Sequence, residues 1–380
     1  MHLVLSTLFY LIYMAIMFLI LNRRFRKKNK KITIIFIIII SLFFFLKKLG
    51  LDFEMYVNWY NKLDTSAIYN FRIELIPYLF MYISKLYNLP SHAFFFLIGT
   101  VTVILNYQIF KNYNNMLLSL FLLFYLFFFR GFSDAMRQLL AASFILYSIY
   151  SFQIEQKKIK SLVLFVFALF SHYSSIAMIP AYFLLKFITK TRMQVNLKFY
   201  IIFIFLTIVL FQVINLFLQQ LATFSLGTFE NKFMNMIIFK LQYYLFYYQQ
   251  KGYTYLNILH KVFWYLIVIL PEIGSIMINV YLIKIKAYYD MDKFLKFILI
   301  MSILGNIIFI GFSSIGLYTM GNRISLTLTL GTYLLLTHLF QEKKHRQFYK
   351  IILIYYLIYN IIVLIYYIQP FNPYSPAYIL

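Results

Sequence analysis

The sequence predicts an all-α polytopic integral membrane protein with about 10 full spans, a re-entrant or short helical hairpin, and helices lying in the outer interface. Three observations predict it. Of the 380 residues, 63% are hydrophobic and 22% aromatic, and the mean hydropathy is +0.79. Apolar runs long enough to cross a bilayer recur from end to end. Lys and Arg outnumber Asp and Glu by 35 to 11, an imbalance that in so apolar a chain points to cytoplasmic loops and argues against nucleic acid as a partner. Cysteine is absent, which excludes disulfides, thiolate nucleophiles and Cys-based metal sites.

The stretch from His2 to Leu21 has its basic cluster after it, the reverse of a cleavable signal peptide, and is expected to be a retained first helix with its N-terminus outside. The run "NRRFRKKNKK" that follows holds seven Lys/Arg and belongs in the cytoplasm. The span at 31–46 then exits. Further spans are expected at 92–110, 116–129, 135–153, 197–218, 258–283, 294–313, 320–340 and 349–368. Two segments break the pattern. In "FRIELIPYLFMYISKLYNLP" the charges at Arg72, Glu74 and Lys85 and the ring of Pro77 suit a helix lying flat in the outer interface. The segment 161–187 is interrupted by "SHYSS" and Pro180 and suits a hairpin that turns back. Single crossings of both segments give nearly the same Lys/Arg asymmetry, so the flat helix and the hairpin are chosen on the polarity of 71–88 and the breakers at 171–175. The chain reads as one transmembrane domain, 1–380, with large outer loops at 47–91 and 219–257. The second loop is rich in Tyr and carries a further interfacial helix.

This topology gathers Asp52, Glu74, Arg130, Arg137, His172 and Arg323 at the outer side. Arginine offers five donors in a planar fork and keeps its charge, so Arg137, at the start of a span, has the chemistry of a phosphate ligand. A snorkelling anchor or a partner for Asp134 is the structural alternative. Arg323, in "TMGNRISLTL", starts another span in the same way. His172 has the one side chain in its segment that exchanges a proton near neutral pH, against the alternative of a hydrogen-bonded structural histidine. Asp52 and Glu54 open the first outer loop, where carboxylates activate hydroxyls or are merely solvated. Glu272 follows Pro271 near the middle of its span, a depth typical of cavities and proton paths. Asp290 and Asp292, in a basic cytoplasmic loop, read as solvated charge. There is no P-loop and no HExxH pattern.

Gly50, Asp52 and Tyr56 in "GLDFEMY", then Glu74, then Arg137 and Gln138 in "FSDAMRQLLAAS", His172 in "FSHYSSIAMIP" and a terminal "NPY" together resemble the EpsG/Wzy-type family of bacterial polysaccharide polymerases. The likeness is densest over 47–182. Lysines stand before Gly50 where the pattern has arginine, and "SDAMRQ" replaces Asn-Gly-Ile-Arg-Gln. The resemblance implies a glycosyltransferase-type enzyme of the bacterial cytoplasmic membrane, its site facing outside, that joins oligosaccharide repeat units carried on undecaprenyl diphosphate. It implies that Arg137, with Arg323 or Arg130, holds the diphosphate, and that His172 or Asp52 takes the proton from the acceptor hydroxyl. Glu74 would position a sugar hydroxyl, and Tyr56 and Gln138 would contact substrate. Membrane lipids and polysaccharide-export or chain-length proteins are the implied partners. No cofactor and no metal ligand is assigned, since the donor already carries its leaving group. A flippase or exporter of lipid-linked oligosaccharide, coupled through Glu272, is the alternative from another class, and a membrane acyltransferase using His172 ranks third.

Overall fold

The computed structural model describes residues 34, 37, 38, 41, 53–63, 74–111, 136–179, 182–183, 196–222, 258–287, 290–315, 318–341 and 345–368. In chain order the elements are α1 (Phe53–Asn61), α2 (Leu75–Leu86), α3 (Ser91–Phe110), α4 (Met136–Gln153), α5 (Lys158–Ser171) and a short 3-10 helix (Tyr173–Ala177). They continue with α6 (Leu197–Ala222), α7 (Ile258–Lys284), α8 (Lys293–Ser314), α9 (Tyr318–Thr329), α10 (Thr332–Gln341) and α11 (Arg346–Ile368). Among the described residues there is no strand.

Three of these helices, α3, α8 and the Leu197–Leu216 part of α6, are long and apolar enough to cross a membrane. They answer to the spans expected at 92–110, 294–313 and 197–218. The expected helix at 116–129 lies outside the described residues, as do most of 1–46 and all but the edges of 219–257. Burial separates the crossing helices by role. Only 11% of the α6 window is buried, against 78% of the α8 window, so α6 turns its side chains toward lipid while α8 runs through the middle of the bundle. Helix α8 packs against α6, α7, α9 and α10, and also meets α4, which pairs with α3 and α5 on its other sides. Polar stitches fix the register inside this apolar core. Asn106 on α3 donates to Ser143 on α4 at 2.8 Å and accepts from Tyr333 on α10 at 3.1 Å.

The segment 71–88, expected to hold a flat interfacial helix, contains the 12-residue α2. It buries Pro77, Tyr78, Met81 and Ser84 on one face and exposes Leu79, Tyr82, Ile83 and Leu86 on the other. The expected break at 171–175 is present as well. Helix α5 ends at Ser171, His172 is extended, and the 3-10 helix begins. The expected single span at 320–340 is two helices, α9 and α10, parted at Leu330 and Gly331. At Gly331 a Cβ would stand 2.7 Å from Ile298 of α8. The backbone approaches α8 too closely there for any side chain, and a hydropathy profile does not register such a contact. Asp292 also has a specific task. Its carboxylate caps α8, accepting from the Leu295 amide at 2.8 Å.

Candidate active site

Glu74 is the hub of the site, and its location in the fold explains how a carboxylate only 4% exposed is tolerated. It occupies the N-cap of α2 in an extended conformation, but its side chain makes no capping bond. The carboxylate therefore sits at the positive end of a helix dipole while remaining available to other partners. One oxygen, Oε2, takes a very short ion pair from Nη1 of Arg137. The other, Oε1, lies 3.8 Å from Nε2 of His172, near enough for charge to act but too long for a hydrogen bond.

Arg137 is held from a second direction. Helix α1 is pinned to the end of α2 by the Tyr60 hydroxyl, which donates to the Leu89 carbonyl, and by Lys85, whose Nζ donates to the carbonyls of Tyr60 and Asn61 at 3.3 and 3.1 Å. Docked this way, α1 delivers Tyr56 and Trp59. Nε of Arg137 donates to the Tyr56 hydroxyl at 2.8 Å, and the guanidinium carbon lies 5.4 Å from the ring centres of both Tyr56 and Trp59. Two sides of the fork are thereby fixed. Among the described residues the Nη2 edge has no partner, and the side chain keeps 15% of its exposure. The next residue, Gln138, is 2% exposed, and among the described residues neither atom of its amide has a hydrogen-bond partner. Such a group costs about 1–3 kcal/mol while it stays unsatisfied.

His172 enters from the joint between α5 and the 3-10 helix. Its Nδ1 accepts the Ser174 backbone amide at 3.0 Å and lies 2.7 Å from the Ser174 hydroxyl, which is 3.2 Å from that of Thr327 on α9. The site thus draws on α1, α2, α4, the 3-10 helix and α9.

The structure brings together Tyr56, Glu74, Arg137 and His172, and Gln138 follows Arg137 along α4. The structural alternative for Arg137 named Asp134, which lies outside the described residues; the arginine pairs with Glu74 instead. Asp52 and Arg130 also lie outside the described residues. Arg323 belongs to α9, and its side chain is not among those described. Trp59, Ser174 and Thr327 escaped the sequence reading. In a chain with 45 Phe and 36 Tyr one more aromatic carries no signal, and lone hydroxyls carry none either.

A second polar cluster is buried between α7, α8 and α9. Glu272, fully buried, accepts from Ser325 at 2.8 Å and from Asn306 at 3.0 Å, and Asn306 accepts in turn from Asn279 at 2.6 Å.

Arginine, carboxylate and imidazole thus meet in an all-α membrane protein. The chain belongs to the EpsG family, whose model matches residues 46–375, and with it to the membrane proteins of polysaccharide biosynthesis. No curated protein and no solved structure matches the chain.

Proposed function

We propose that the protein is a repeat-unit polymerase, a glycosyltransferase that joins undecaprenyl-diphosphate-linked oligosaccharides at the outer face of the bacterial cytoplasmic membrane. The observation that carries this reading is the state of Arg137. Two sides of its guanidinium are anchored by Glu74 and Tyr56, and among the described residues its Nη2 edge is unengaged. An arginine held in this way loses little conformational entropy when it grips a diphosphate, and its charge stabilises the same group as it departs.

In the reaction an acceptor hydroxyl oxygen attacks C1 of the donor's first sugar. The C1–O bond to phosphate breaks, and undecaprenyl diphosphate leaves with the bonding pair. The hydroxyl proton passes to a base on the enzyme. Glu74, already committed to Arg137, acts as a positioning residue here and does not hold a sugar hydroxyl. Arg323 is a second diphosphate ligand in this reading.

The test is polymerisation in detergent, without ATP or a gradient. A defined lipid-linked repeat unit should become a ladder of longer products with release of undecaprenyl diphosphate. The buried Glu272 cluster favours the second reading, a flippase coupled through that acid. If no donor gives a ladder while the protein in liposomes moves lipid-linked sugar between leaflets, that second reading replaces the first.

A further inference from the structure

We propose that Ser174 and Thr327 lock His172 as an Nε2–H donor, so that the ring is a ligand of the substrate's diphosphate and not the base that deprotonates the acceptor. The diphosphate part rests on the polymerase reading; the tautomer part does not. A backbone amide can only donate, and the Ser174 amide points at Nδ1 from 3.0 Å. Nδ1 must therefore offer its lone pair, which leaves the proton of the neutral ring on Nε2. Nε2 is also the atom that faces Glu74, 3.8 Å from Oε1. A nitrogen that already bears a proton cannot collect another.

The surroundings are built for this donor role. Arg137 and Nε2 of His172 flank the same carboxylate, so a diphosphate on the open edge of Arg137 arrives alongside the Nε2–H. The Ser174 hydroxyl, 2.7 Å from Nδ1, can donate to the same lone pair while it accepts from the Thr327 hydroxyl at 3.2 Å, which holds the proton of the neutral ring on Nε2. Glu74 faces the ring, and Arg137 and Tyr173 act on the same carboxylate, with Tyr56 bonded to Arg137.

The experiment uses the full chain in detergent with 15N-labelled histidine and farnesyl diphosphate as the probe. His172 is picked out of the six histidines by the resonance lost in His172→Gln. The free protein should show a lone pair on Nδ1 and a proton on Nε2. Farnesyl diphosphate should move the Nε2 resonance, and Ser174→Ala and Thr327→Val should each mix the tautomers. A glutamine amide reproduces an Nε2–H and an asparagine amide does not reach that far. His172→Gln should therefore keep probe affinity within about threefold, while His172→Asn loses about tenfold or more, the size of one hydrogen bond to a charged group. In lipid-linked substrate assays turnover should fall in step with probe affinity, less in His172→Gln than in His172→Asn. An unprotonated Nε2 in the free protein overturns the proposal, as does loss of turnover in His172→Gln with probe binding intact, which is the signature of a base. If the wild type does not bind the probe at all, the polymerase reading fails with the ligand role, whereas the spectrum of the free protein still decides the tautomer.

Discussion

Arg137 is exposed enough to meet a ligand and anchored enough to meet it in one orientation. Its anchors are a charge, a hydroxyl and two aromatic faces, each aligned to a planar fork. Lysine keeps the charge and loses the fork. Arg137→Lys should insert and express normally while kcat/KM falls at least about tenfold, equivalent to roughly 1.4 kcal/mol. Equal polymer yield from the variant would reduce Arg137 to a membrane anchor. Glu74→Gln separates positioning from binding. The variant removes a negative charge that opposes an incoming diphosphate and also loosens the fork, so KM should hold or fall while kcat drops about tenfold. A raised KM with unchanged kcat would contradict the positioning role.

Helix pairs carry these residues, and two of them are open to test. Helices α8 and α9 touch through Gly305, where a Cβ would meet Thr329 Cγ2 at 2.6 Å, Leu328 Cβ at 3.0 Å and the Ser325 carbonyl at 3.3 Å. Neither the backbone nor a Cβ atom can swing aside. Gly305→Val should cost about 1–3 kcal/mol by overpacking, read as a lower thermal midpoint in detergent. Because α9 bears Thr327, the His172 resonance should shift in the same variant. At the other end of α4, the turn into α5 is closed by Glu155, which takes Lys160 at 2.8 Å and Ser151 at 3.3 Å. Burial pushes the Glu155 carboxyl up, but the hydrogen bond and charge of Lys160 and the charge of Lys157 outweigh it, and it titrates below the ordinary carboxylate range. A carboxyl lowered on folding stabilises above its unfolded value, about 4.3, and the contribution is lost as pH falls through the folded value. Wild type should therefore exceed Glu155→Gln in thermal midpoint at neutral pH, with the gap closing below about pH 4. A gap that persists in acid would assign the effect to packing.

At the scale of the molecule the outcome hinges on sidedness. Arg137 opens α4 and Lys158 follows the turn at its far end, so the 18 residues of the helix put about 27 Å between site and turn. That length suffices to carry the two ends to opposite faces of a bilayer, as the Lys/Arg distribution along the sequence leads one to expect. With no native cysteine, Ser133→Cys should react with an impermeant thiol reagent from outside, and Lys158→Cys only after permeabilisation. The reverse pattern would turn the site toward the cytoplasm and remove lipid-linked oligosaccharide as its substrate.

The three helices long and apolar enough to cross a membrane, the short α2 and the break at His172 are all written in the sequence, because each depends on local hydropathy and on breakers that act within a turn or two. Arg137, Glu74 and His172 were visible for the same local reason, as charges standing where apolar residues are the rule. Their pairing was not visible. Arg137 and Glu74 are 63 positions apart, and Ser174 and Thr327 are 153 apart, so only the docking of α1, α2 and α9 around the ends of α4 and α5 makes them neighbours. The tertiary structure likewise decided that Glu74 positions an arginine, that Trp59 flanks it, and that 320–340 breaks at Gly331. Hydropathy sums over one segment, whereas partner choice and close backbone approach are set by the segment on the other side of the contact.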